Sequence, residues 1–139
     1  MRGGMRNPMP EQPADVRNKN FKEVALGYDM KTAVDEAERC LHCPKPLCVS
    51  GCPVNVEIPA FIQAVKEGNM QEAIKILKRK NSLPAVCGRV CPQEKPVRIQ
   101  NACSALRVSL SLSAVWKRFV ADYAREHGLD NVDNEKSCS

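Results

Sequence analysis

Aromatic residues are scarce, at 4% of the 139-residue chain, and Trp116 is the only tryptophan. An apolar core must therefore come from Val, Ile, Leu and Ala, in a chain that also carries ten prolines. So small a core gains from a covalent or metal staple. No apolar run approaches the roughly 18 residues of a membrane span, so none is expected. No stretch alternates as a half-buried strand. No G-x-G-x-x-G occurs, and a dinucleotide such as FAD cannot be held in the manner of that motif. The net charge is +5, yet no Lys/Arg run is dense enough for nucleic acid. The opening "MRGGMRNPMPEQPADVRNKNF" contains no apolar segment for a signal peptide. It reads as a flexible lead-in over residues 1–25, followed by a helical domain over 26–128 and a tail over 129–139. A cytoplasmic location is expected.

Cysteine is what the sequence has in excess. Eight occur, at 40, 43, 48, 52, 87, 91, 103 and 138. Reducing compartments disfavour disulfides, so clustered thiols there point to metal. Zinc would use two short knuckles, which Cys40/Cys43 and Cys87/Cys91 could supply. The run "CLHCPKPLCVSGCP" (40–53) instead reads C-x₂-C-x₄-C-x₃-C-P. Bacterial iron–sulfur runs read C-x₂-C-x₂-C-x₃-C-P, and their fourth cysteine serves a second cluster. On that pattern Cys40, Cys43 and Cys48 hold one [4Fe–4S] cluster and Cys52 reaches toward another. The second C-x₃-C-P, Cys87 to Pro92, helps build that other cluster. The histidines, His42 and His127, read as surface residues.

Helical signals run through the chain. Thr32, three residues before Asp35, suggests a cap for a helix entering the first cysteine. Pro59 and Gly68 bracket a helix with Ile58, Phe61, Ile62 and Val65 on one face. Asn69 caps the next, striped by Ala73, Ile74 and Leu77, with Pro84 as its breaker. A longer pattern from Leu106 to His127 carries Val115, Trp116, Phe119, Val120 and Tyr123 and closes at Gly128. The fold class is all-α, with cluster-binding loops between helices.

"AERCLHCPKPLCVSGCPVNVEIPAFIQAVKEGN…NSLPAVCGRVCPQE" resembles the N-terminal iron–sulfur domain of the NADPH-dependent glutamate synthase small (beta) subunit family. The related dihydropyrimidine dehydrogenase N-terminal domain shares the pattern. The resemblance runs from about Asn18 to Glu94 and returns at "RFVADYAREHG" (118–128). It implies an α-helical ferredoxin fold with two [4Fe–4S] clusters. Such a module relays electrons between a flavin/NADPH oxidoreductase and a partner, in glutamate synthase the large (alpha) subunit. FAD and NADPH belong to domains that follow it and are expected to be absent here, leaving this chain non-catalytic by itself. By the resemblance, Cys40, Cys43 and Cys48 take the first cluster with a fourth ligand at position 101. Cys52, Cys91 and position 97 take the second, with a side-chain oxygen at position 117. Arg89 and Lys45 would add positive charge, while Ser50, Gly51 and Gly88 would let backbone N–H groups approach the sulfurs. The alternative is a zinc-stapled or cluster-free helical docking domain.

This chain has Val97, Asn101 and Lys117 at those three positions. Cys103 lies two residues from one vacancy and could substitute, Cys87 could ligate or pack, and Cys138 reads as a free thiol. Residues 95–117 depart from the family pattern although both flanks follow it. We read the stretch as translated in a shifted frame. Pro96-Val97-Arg98 can be encoded so that a one-base shift spells Gln-Cys-Glu, and Asn101 to Ala105 so that a two-base shift spells Cys-Val-Leu-Gly. The nucleotide sequence of these codons should spell both motifs out of frame. A sequence that spells neither contradicts the frameshift.

Overall fold

The computed structural model describes residues 7–91 and 113–129. Seven helices follow in order: α1 (Ala14–Arg17), α2 (Met30–Ala37), α3 (Leu47–Ser50), α4 (Ile58–Lys66), α5 (Met70–Lys78), α6 (Pro84–Val90) and α7 (Ser113–Glu126). Every regular element among the described residues is helical, and the all-α expectation holds. None of these helices is long and apolar enough to cross a membrane.

Local chemistry explains most boundaries. The Asn69 side chain accepts from the Glu72 N–H at 3.1 Å and caps α5. Pro59 stands in the first turn of α4, where its missing N–H costs nothing. Gly68 ends the turn between α4 and α5 with φ +74°, a conformation that glycine adopts without penalty. Two readings need correction. The cap of α2 is Asp29, whose carboxylate accepts from the Thr32 N–H at 3.2 Å. Thr32 is therefore inside the helix, on the donor side of the cap. Pro84 does not merely end α5; it opens a further helix, α6, and Cys87 lies on that helix instead of a loop.

The core joins α2, α4, α5 and α7. Ala33, Phe61, Val65, Ala73, Leu77, Trp116 and Val120 are fully buried in it. The Trp116 indole N–H donates to the Ala33 carbonyl at 3.1 Å, satisfying the one polar atom that this large ring brings inside. Phe119 and Val120 are buried as the helical spacing predicts, and the Leu106–Leu112 part of that pattern lies outside the described residues.

The N-terminal segment is tied to the body from Asn7 onward. The Asn7 N–H donates to Glu36 Oε2 at 3.0 Å, and Tyr28 Oη donates to the Asn7 carbonyl. Glu36 is fully buried and also pairs with Arg39. The Gln12 and Leu26 N–H groups donate to the Val24 and Pro10 carbonyls, at 2.8 and 2.7 Å. Arg89 bridges Glu23 at 2.6 Å and Asp122 at 2.7 Å, and Arg118 donates to the Ala25 carbonyl at 2.6 Å.

Gly88 sets the distance between α6 and α7. A Cβ there would stand 2.5 Å from the Arg118 nitrogen and 2.8 Å from the Ala114 carbonyl oxygen, both backbone atoms. Alanine is ordinarily worth about 1 kcal/mol over glycine inside a helix. Here the clash outweighs that gain, because overpacking costs roughly 1–3 kcal/mol. Gly88→Ala should lower the urea midpoint, and a variant as stable as the wild type contradicts this close approach.

Candidate metal centre

The first three cysteines share one loop. Cys40 leaves α2 with its N–H still bonded to the Ala37 carbonyl at 3.1 Å. His42 then takes φ 47°, a left-handed backbone that turns the chain between Cys40 and Cys43. Pro44 and Pro46 follow, and the single turn of α3 carries Cys48 inward to 8% exposure. Cys40 and Cys43 are half-buried against the core.

Burial dominates the electrostatics of Cys40 and Cys48. Burial is the main cause pushing the Cys48 thiol up to about 11, and the neighbouring Cys40 and Cys43 push it the same way. Burial also raises Cys40, with Cys43 adding to the rise and the Lys66 ammonium partly offsetting it. Thiolates at Cys40 and Cys43 would therefore make Cys48 harder to ionise. A cation among them would reverse that balance, and metal binding would release their protons. As they stand, no three Cys, His, Asp or Glu side chains among the described residues are close enough to hold a metal ion. The zinc quartet of Cys40, Cys43, Cys87 and Cys91 is accordingly not gathered. Sites of this kind are commonly organised by the metal itself.

Cys52 has a different environment. It is 3% exposed, and the Lys117 ammonium, itself 1% exposed, stands 3.9 Å from its Sγ. Cys87 lies within α6, and Cys91 ends that helix with its N–H on the Cys87 carbonyl at 3.0 Å. Both are half-buried. Cys103, Cys138 and positions 97 and 101 lie outside the described residues.

The neighbouring residues named from the sequence have contacts of their own. Gly88 serves helix packing, and the Ser50 hydroxyl donates to the Leu47 carbonyl at 3.0 Å. Arg89 is held by Glu23 and Asp122. His42 is exposed, and His127 stacks on Tyr123 with ring centroids 3.9 Å apart. Lys66, a cation acting on Cys40, had no signal in the sequence because it comes from a separate helix, α4.

The family model for dihydropyrimidine dehydrogenase domain II, 4Fe-4S cluster, matches residues 17–129. The chain belongs to this 4Fe-4S domain family. It is also 48% identical over 85 residues to the glutamate synthase [NADPH] small chain of Halomonas elongata, covering 61% of this chain and 18% of that relative. Its Escherichia coli (strain K12) counterpart is 38% identical over 86 residues, covering 62% and 18%. The NAD-dependent dihydropyrimidine dehydrogenase subunit PreT of the same strain is 31% identical over 109 residues, covering 78% and 26%. The chain thus spans less than a fifth of the length of these small chains. For a 4Fe-4S group, the thiols of Cys40, Cys43 and Cys48 are a fitting soft donor set on one loop. The Cys52 corner does not fit, because the side chain beside it is a lysine, which carries donors and no acceptor.

Proposed function

We propose that the chain is the electron-transfer module of a flavin-dependent, NADPH-linked oxidoreductase, with its cluster on Cys40, Cys43 and Cys48. The carrying observation is that Cys40, Cys43 and Cys48 follow one another on the short segment between α2 and α4, where α3 carries Cys48 inward. The relatives named as a small chain or a subunit support a partner protein, which we take to be a large subunit or an equivalent redox partner. FAD and NADPH would be bound by other domains, so this part by itself catalyses nothing. A cytoplasmic location goes with such a role.

The fourth ligand falls to Cys103, near position 101. Of the two clusters that the cysteine spacing implies, the one on the 40–48 loop is the one these residues support. The second, which the cysteine pattern draws from Cys52, Cys91 and Cys87, would have a lysine and no acceptor beside Cys52. When bound, the group supplies one-electron storage with little rearrangement, at a potential tuned by solvent exposure and nearby charge. The protein's part is to bury Cys48, to place Lys66 near Cys40, and to hold α2 and α4 firmly on either side of the loop.

Anaerobic reconstitution with iron and sulfide, followed by iron, sulfide and zinc analysis, tests this reading. The wild type should turn brown with a broad band near 400 nm, and Cys48→Ala should lose that band while staying helical. Stoichiometric zinc without sulfide, or a Cys48→Ala chain that keeps its iron, contradicts it.

A further inference from the structure

We propose that Lys117 seals Cys52 into a structural joint between the cysteine loop and α7, confining cluster chemistry in this chain to Cys40, Cys43 and Cys48. The proposal deepens the function above and rests on it for the location of the cluster. Cys52 and Lys117 are both fully enclosed, at 3% and 1% exposure, with Nζ 3.9 Å from Sγ. Among the described residues no carboxylate lies within ion-pair distance of Lys117. The thiol is thus the polar neighbour toward which the buried lysine is directed.

The lysine is held there from both sides. Trp116, the residue before it, donates to the Ala33 carbonyl of α2 at 3.1 Å. Arg118, the residue after it, donates to the Ala25 carbonyl of the N-terminal segment at 2.6 Å. Turning Lys117 away from Cys52 by rotating α7 would break both bonds and expose Trp116, which is fully buried. A side-chain rearrangement is also obstructed, since the lysine stem is packed on all sides. A cluster bound at Cys52 would have to displace this side chain, which has no lone pair to offer iron while it donates to sulfur. The joint instead fastens α7 to the cysteine loop without iron.

Timed alkylation of the iron-free full chain with iodoacetamide, read residue by residue by mass spectrometry, tests the seal. Cys40 and Cys43 should label first and Cys52 at least about tenfold more slowly, because its labelling requires local opening. Lys117→Ala, with its helical circular dichroism retained, should raise the Cys52 rate by about the same factor. Wild-type Cys52 that labels as fast as Cys40, or a folded Lys117→Ala chain with an unchanged rate, overturns the seal. After reconstitution, a folded Cys52→Ser chain should keep all the iron of the wild type, and loss of iron there also overturns it. A wild type that binds no iron at all contradicts the cluster reading instead, and the alkylation rates then decide the seal alone.

Discussion

The seating of α7 is the constraint on which the other elements depend. Its buried face reaches the core of α2, α4 and α5 through Trp116 and Val120, and its flank receives α6 at Gly88. Trp116 has one polar atom, and the Ala33 carbonyl accepts from it, so the indole can be buried without an unsatisfied donor. That bond fixes the rotation of the helix about its own axis. With the rotation fixed, Lys117 must face Cys52 and Arg118 must face the N-terminal segment. The seating of α7 thereby sets the environment of Cys52 and, through Arg118, adds to the contacts of Asn7 and Glu23 that dock the N-terminal segment.

The cysteine loop lies between two firmly packed helices. Burial, with neighbouring thiols adding to it, favours the thiol forms of Cys48 and Cys40, which suits a site that acquires its ligand charge together with its metal. The same loop continues into Cys52, four residues on, where a buried cation occupies the neighbourhood. Cys48 and Cys52, four residues apart, therefore have different surroundings because different helices stand behind them.

What the sequence disclosed was local. The Asn69 cap, Pro59 in a first turn and Gly68 at a helix end depend on a few neighbouring residues, and each stands where the pattern put it. The thiol spacing of 40, 43 and 48 likewise pointed to iron–sulfur chemistry, and the family match agrees. Misreadings arose where two local signals compete or where contacts are distant. Asp29 and Thr32 are both competent caps, and only the backbone shows that Asp29 accepts while Thr32 donates. Pro84 can end one helix or begin another. Arg89 finds its partners 66 and 33 residues away, which no spacing rule foresees. The burial of Lys117 is of the same kind, since its exposure is decided by Trp116 and the packing of α7.

The central claim is that this chain presents one cluster site, on the loop of Cys40, Cys43 and Cys48. Electron paramagnetic resonance of the anaerobically reconstituted, dithionite-reduced chain tests it most directly, with spins counted against protein. A single species integrating to about one spin per chain is the predicted result, as one reduced cluster carries one electron. Two species, or one signal broadened by a second paramagnet and integrating to about two spins, would contradict it.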